Sequence, residues 1–168
     1  MSFTNEVFIM LETQNHSEPF ILFELAGTTY GLPSAVVQQM EMVEHITPVP
    51  NTPAFVEGVV FSRGQVIPAI NLRLRFGFDK KDYDVRTRLI VVKIGNRSVG
   101  FIADTAREFV SIPDHLVQPP PEGISGLSGR YLIGIAQLGE RIILILNAEE
   151  VINCTNTLSS VFVENKTI

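Results

Sequence analysis

From Gly58 to Asn71 the chain advances thirteen positions, and from Gly134 to Asn147 it advances thirteen again. Each stretch holds two apolar, β-branched runs, residues 55–61 with 65–70 and residues 131–136 with 142–146. A short turn splits each pair, with Arg63 near one tip and Arg141 near the other, and each pair leaves through its Asn into a short helical pattern. Runs of this length around a tight turn are hairpins, and their recurrence implies two copies of one small β unit. Two further hairpins follow the same logic. Residues 20–25 turn at Ala26-Gly27-Thr28 and return as 29–33, while residues 89–94 turn at Gly95-Asn96-Arg97 and return as 98–104. Such spacing favours antiparallel barrels over an α/β sheet.

The intervening segments fit this plan. After Pro33, Ser34 can cap a short helix carrying Val36, Val37 and Met40 at helical spacing. Residues 47–53 contain three prolines and so form an exposed, stiff connection. Residues 71–77 read as one helical turn closed by Gly77, and 79–84 as a charged surface loop. Residues 118–129, rich in Pro and Gly, are a long loop of tolerated surface slack. A length of 168 residues suits one domain or two small subdomains that share a core. A unit of some five strands has a poor surface-to-volume ratio alone, so two would pack together and leave a groove between them. The expected organisation is an N-terminal arm over 1–19, a domain over 20–152 with pseudo-repeats at approximately 20–77 and 88–152, and a tail over 153–168.

Charged residues make up only 18% of the chain where about 25% is usual. That deficit points to apolar surface, which in a soluble protein is mostly partner surface. A net charge of −5 has the wrong sign for coating nucleic acid. The sign is uneven, with seven Glu and no Lys or Arg in 1–62 and nine basic residues in 63–97. Such polarity steers docking between proteins. Cys154 is alone, which excludes a disulfide within the chain, and no run is long enough to cross a bilayer, so a cytoplasmic protein without membrane insertion is expected.

No catalytic constellation emerges. His16, His45 and His115 have no second ligand at metal-binding spacing, and Cys154 has no His beside it. The glycines at 123, 126 and 129 lack both the Lys-Ser/Thr of a phosphate loop and the order of a hydrolase elbow. Glu149 and Glu150 sit on a final helical pattern as solvated carboxylates. The expectation is no catalytic residue, no cofactor and no metal.

Taken in order, Tyr30-Gly31-Leu32-Pro33, Val37, Pro50-Asn51-Thr52-Pro53-Ala54-Phe55-Val56-Glu57-Gly58-Val59, Arg63-Gly64-Gln65-Val66-Ile67-Pro68, Asn71-Leu72-Arg73 and Phe76-Gly77 resemble the CheW family of bacterial signalling adaptors. The likeness continues through Gly100-Phe101-Ile102-Ala103-Asp104 and Gly134-Ile135-Ala136, over roughly residues 20–152. It implies an all-β fold with few short helices: two small five-stranded SH3-like β-barrels packed together, strands possible in common, with a hydrophobic groove at the junction. It further implies a non-catalytic adaptor that couples the coiled-coil tip of a methyl-accepting chemoreceptor to a CheA-like histidine kinase.

On that reading a receptor tip lays an apolar stripe in the groove, with Val36, Val37 and Met40 on one lip and Val99 and Phe101 on the other. The kinase meets a barrel end near Gly58, Arg63 and Gly64. Three positions depart from the usual pattern: Phe61-Ser62 where Asn-Leu is common, Gln39 where an acid is frequent, and Asn71 where Asp is frequent. Gln39 can hydrogen-bond Arg63 but not neutralise it. The departures leave room for a divergent pathway such as type IV pilus motility or phototaxis. An alternative is a small-molecule sensing module that uses the groove as a pocket. A seam sealed by the chain's own side chains would count against the adaptor reading.

Overall fold

A computed structural model describes residues 16–124 and 127–153. The described elements are β1 (Ser17–Leu25), β2 (Thr28–Pro33), β3 (Val37–Met42), β4 (Val56–Ser62), β5 (Gln65–Asn71), α1 (Leu72–Arg75), β6 (Arg88–Ile94), β7 (Arg97–Ala103), β8 (Thr105–Pro113), β9 (Val117–Gln118), α2 (Leu127–Arg130), β10 (Leu132–Leu138), β11 (Arg141–Leu146) and α3 (Ala148–Asn153). All four expected hairpins form. The arm before residue 16 and the tail after 153 lie outside the described residues, as do Ser125 and Gly126 of the long loop. β1 begins at Ser17, inside the expected arm, because Ser17 pairs with Pro113.

The strands form two sheets, ordered β8-β1-β2-β11-β10-β9 and β3-β6-β7-β5-β4. The first hairpin therefore joins the last, with β2 parallel to β11, and the two middle hairpins join each other, with β5 parallel to β7. One sheet has five strands; the other has six because β9 adds two residues at its edge.

The same device bends both sheets round. Beyond β3 the chain crosses to the opposite edge, where Thr47 exchanges two backbone hydrogen bonds of 2.9 Å with Val59 on β4. Beyond β8 a 3₁₀ turn at Asp114–Leu116 delivers β9 to β10, the opposite edge of its sheet. Gly58 and Gly134, the repeated glycines, lie beneath these crossings. A methyl group on Gly58 would lie 2.7 Å from the Thr47 carbonyl carbon and 2.9 Å from Pro48 Cα, and one on Gly134 would lie 2.8 Å from the Gln118 carbonyl oxygen. Each glycine is where the closing segment passes too close for a side chain. The repeated asparagines also match in detail: Asn71 N donates to Phe55 O and Asn147 N to Tyr131 O, both at 2.7 Å, and each side-chain oxygen accepts an amide in the helical turn that follows.

One expectation is corrected here. Val36, Val37 and Met40 do not share a helix: a 3₁₀ turn ends at Val36 and Val37 opens a strand. Pro33 and Pro113 take nearly the same backbone angles before nearly identical turns, after which β-branched Val37 and Val117 resume extended structure. β8 is the element that sequence patterning misses. Its alternation is broken by a bulge, since Leu22 pairs with Glu108 and Phe23 with Ala106, leaving Arg107 as an extra residue.

Burial explains why so many strands read as continuous apolar runs. In β6, Leu89 and Val91 face the interior of their own barrel, whereas Ile90 and Val92 face the other sheet. β1 divides likewise, Phe20 and Leu22 inward, Phe23 and Leu25 toward the junction. The junction is the largest of the three cores, where Tyr30, Leu32 and Leu146 meet Ile70, Ile90 and Phe101. Strands buried on both faces lose alternation.

Candidate functional site

Packing of the junction decides which expected anchors are available. Val99 and Phe101 are 5% and 0% exposed and belong to the inter-sheet core, so they form no lip. They occupy alternate positions of β7 that point at the other sheet. Gly58 is likewise buried, spent on closing the barrel. The seam is therefore filled with the chain's own side chains at its centre but is not sealed throughout. What stays open is its margin, a depression of about 550 Å³ lined by Tyr30, Leu74, Phe76, Tyr131 and Leu144, among others. Arg75 also lines it, its guanidinium 4.4 Å from the Phe55 ring centroid and 5.1 Å from that of Tyr131.

The residues expected on the opposite lip lie along the β3 edge. Val36 and Val37 are half-buried against the inter-sheet core. Met40 pairs with core residue Ile90 and is 40% exposed; Met42, two residues on, is also exposed. This strand edge carries the core out to solvent through flexible thioether side chains, which adapt readily to a partner. Phe109 on β8, paired with Ile21, is another exposed apolar side chain that sequence reading missed because β8 was missed.

At the β4–β5 turn, Arg63 and Gly64 both have positive φ, +47° and +81°. This matches the two-residue turn whose twist suits a hairpin. Arg63 is exposed and makes no hydrogen bond or ion pair among the described residues. Flanking it, Phe61 and Val66 pair directly across the strands and are 75% and 65% exposed. They lie on the face that is core at the hairpin's base, at Ile70, and free at its tip. Sequence patterning placed both runs correctly but gave no sign that one end of that face would find nothing to pack against.

Gln39 does not reach for Arg63. Its side-chain amide donates to Ser62 Oγ and, at 3.1 Å, to the Glu41 carboxylate, which also accepts from Ser62 Oγ at 3.3 Å. These three side chains link edge strands β3 and β4, between which no backbone ladder runs. Two of the departures, Gln39 and Ser62, are thus partners of each other. The third is equally specific. Asn71 Oδ1 accepts from Leu74 N at 3.3 Å while its Nδ2 donates to Glu57 at 3.1 Å and to Tyr83 at 3.4 Å. An Asp could not donate, and would face the Glu57 carboxylate. Burial, with Glu57 nearby, pushes the Tyr83 phenol well above its ordinary range.

Behind the site, Arg73 grips Asp104 through two hydrogen bonds of 2.7 and 2.8 Å. Asp104 also accepts from Ala26 N at 2.9 Å, so α1, the β7–β8 junction and the β1–β2 turn meet at one carboxylate. Burial alone would raise its pKa; the bonds from Arg73 and Ala26 N outweigh that and hold it below the usual range.

A CheW-like domain family model matches residues 19–155. Among curated proteins, the chemotaxis protein CheW of Klebsiella aerogenes is 32% identical over 136 residues, 81% of this chain and 82% of that one. Protein FrzA of Myxococcus xanthus is 32% identical over 120 residues, 71% of this chain and 74% of that one. Among solved structures, the scaffolding protein TtCheW from Thermoanaerobacter tengcongensis superposes with a TM-score of 0.74 at 32% identity, covering 79% of this chain and 90% of that one. With two interlocked β-sheets, glycines under both closing strands and a match along the whole described core, the chain belongs to the CheW-like family.

Proposed function

We propose that this chain is a chemotaxis-type signalling adaptor that holds a CheA-like histidine kinase through the tip of the β4–β5 hairpin and a chemoreceptor coiled-coil tip along the β3 edge. Family membership supports the adaptor role. The observation that carries the docking assignment is the Phe61–Val66 pair, two large apolar side chains side by side in solvent with the unpaired cation Arg63 between them in sequence. Such a patch beside a charge has the makeup of a partner surface. The receptor surface is Val36, Val37 and Met40, extended by Met42, which suits an apolar helical stripe with anchors three and four residues apart. The protein has no chemistry of its own in this reading and works in the cytoplasm; no helix among the described residues is long and apolar enough to cross a membrane. The small-molecule alternative draws no support from the relatives.

Co-purification with the CheA-like kinase and the receptor tip of the same organism tests the assignment. Phe61→Ser and Arg63→Glu should weaken kinase binding by about tenfold or more and spare the receptor, and Met40→Lys should do the reverse. Loss of both partners by every variant with an unchanged melting curve, or loss of neither, refutes the separation into two surfaces.

A further inference from the structure

At the mouth of the barrel closed by the six-stranded sheet lies a polar cavity of about 270 Å³, remote in sequence from Arg63 and Met40. Leu22 and Glu24 of β1, Thr29 of β2, Thr105 and Glu108 of β8 and Arg141 of β11 all line it. Leu22 packs in that barrel's core, so these residues share the inward face. Two more cations enter from outside the regular ladder: Arg86 from the loop before β6, and Arg107, the extra residue of the β8 bulge.

The electrostatic account of this cavity does not close on itself. Arg141 and Glu108 satisfy each other through two bonds of 2.9 and 3.1 Å. Neither the Arg86 nor the Arg107 guanidinium has an acceptor within hydrogen-bonding distance among the described residues. Three guanidinium groups line the cavity with Glu24 and Glu108, and just outside the lining Asp84, which accepts from Arg86 N at 2.7 Å, offsets part of the Arg86 charge. Bulges are a common way to aim a side chain at a site, and this one delivers Arg107 to the cavity.

We infer that this mouth is a socket for one carboxylate side chain of a partner polypeptide, held by Arg86 and Arg107. With the Arg86 charge partly offset by Asp84, the site suits a monoanion better than a phosphate dianion, and guanidinium forks fit the two carboxylate oxygens. The socket is independent of the adaptor surfaces above, whose tests do not touch it.

Nitrogen-15 NMR on the full chain, recording backbone amides and arginine Nε–H groups at constant ionic strength, tests it with three probes. These are a blocked alanine-based peptide carrying one glutamate, the same peptide with glutamine, and inorganic phosphate. The glutamate peptide should give saturable shifts at Thr105, Arg86 and Arg107, and Arg107→Ala should weaken its binding about tenfold or more. Equal shifts with the glutamine peptide, linear shifts without saturation, or binding unchanged in Arg86→Ala/Arg107→Ala would overturn the proposal. Phosphate saturating the same signals at lower concentration than the glutamate peptide would overturn the choice of a carboxylate. Both arginines are exposed, so the variants are expected to fold.

Discussion

Replacing Gly58 with Ala puts the closure of the five-stranded barrel to a direct test. The glycine has φ +144°, outside the range that a residue with a side chain adopts without strain, at a cost of about 1–3 kcal/mol. The added methyl would also overlap the Thr47 carbonyl and force open the Thr47–Val59 pair, losing two hydrogen bonds worth about 1 kcal/mol each. The combined loss is about 3–5 kcal/mol, which for a chain this size lowers Tm by about 6–20 °C. Gly134→Ala is the internal control. It has no positive φ, and its methyl would press on the Gln118 carbonyl and Val117 Cγ1 at 2.8 and 2.9 Å, an overlap expected to cost about 1–3 kcal/mol, in the lower part of that range. Urea unfolding monitored by circular dichroism gives both losses, and amide exchange should quicken at Val59 only in the first variant. A loss below about 1 kcal/mol for Gly58→Ala, or equal losses at the two sites, would refute the idea that strain and collision combine at Gly58.

Three further outcomes follow from the geometry. Asp104→Asn should cost about 2–3 kcal/mol, since one partner of a largely buried pair then remains uncompensated; because the folded pKa of Asp104 lies below the unfolded value, the wild-type contribution is full above the ordinary carboxylate range and fades as pH falls through the lowered pKa, so the gap between wild type and variant should narrow in acid when unfolding is measured across pH. Asn147→Ala should cost about 1 kcal/mol as a lost helix cap, and Asn71→Ala more, because Asn71 also serves Glu57 and Tyr83; equal losses in thermal melts would refute the extra role. Phe101→Ala should cost about 3–5 kcal/mol by leaving a cavity in the inter-sheet core, and a near-neutral result would return Phe101 to the list of surface anchors.

The sequence by itself determined the local units. Tight turns at Ala26-Gly27 and Arg63-Gly64 and the thirteen-residue spacing of Gly and Asn are short-range facts, so the hairpins, the one-turn helix after Asn71 and the β class were legible. The motifs that run from Tyr30 to Ala136 carried the family as well. What only the tertiary structure decided was which hairpin faces which. A run such as Leu89-Ile90-Val91-Val92 is equally apolar on both faces, so nothing in it says that one face fills a barrel and the other a seam. That ambiguity made Val99 and Phe101 look available when they are buried, and hid the exposure of Phe61 and Val66. It also concealed why Gly58 and Gly134 recur, because the segment that passes over each comes from earlier in the chain and has crossed to the opposite edge of its sheet. Local propensity is set by neighbours in sequence, whereas exposure is set by whatever else happens to pack alongside, and that belongs to the assembled fold.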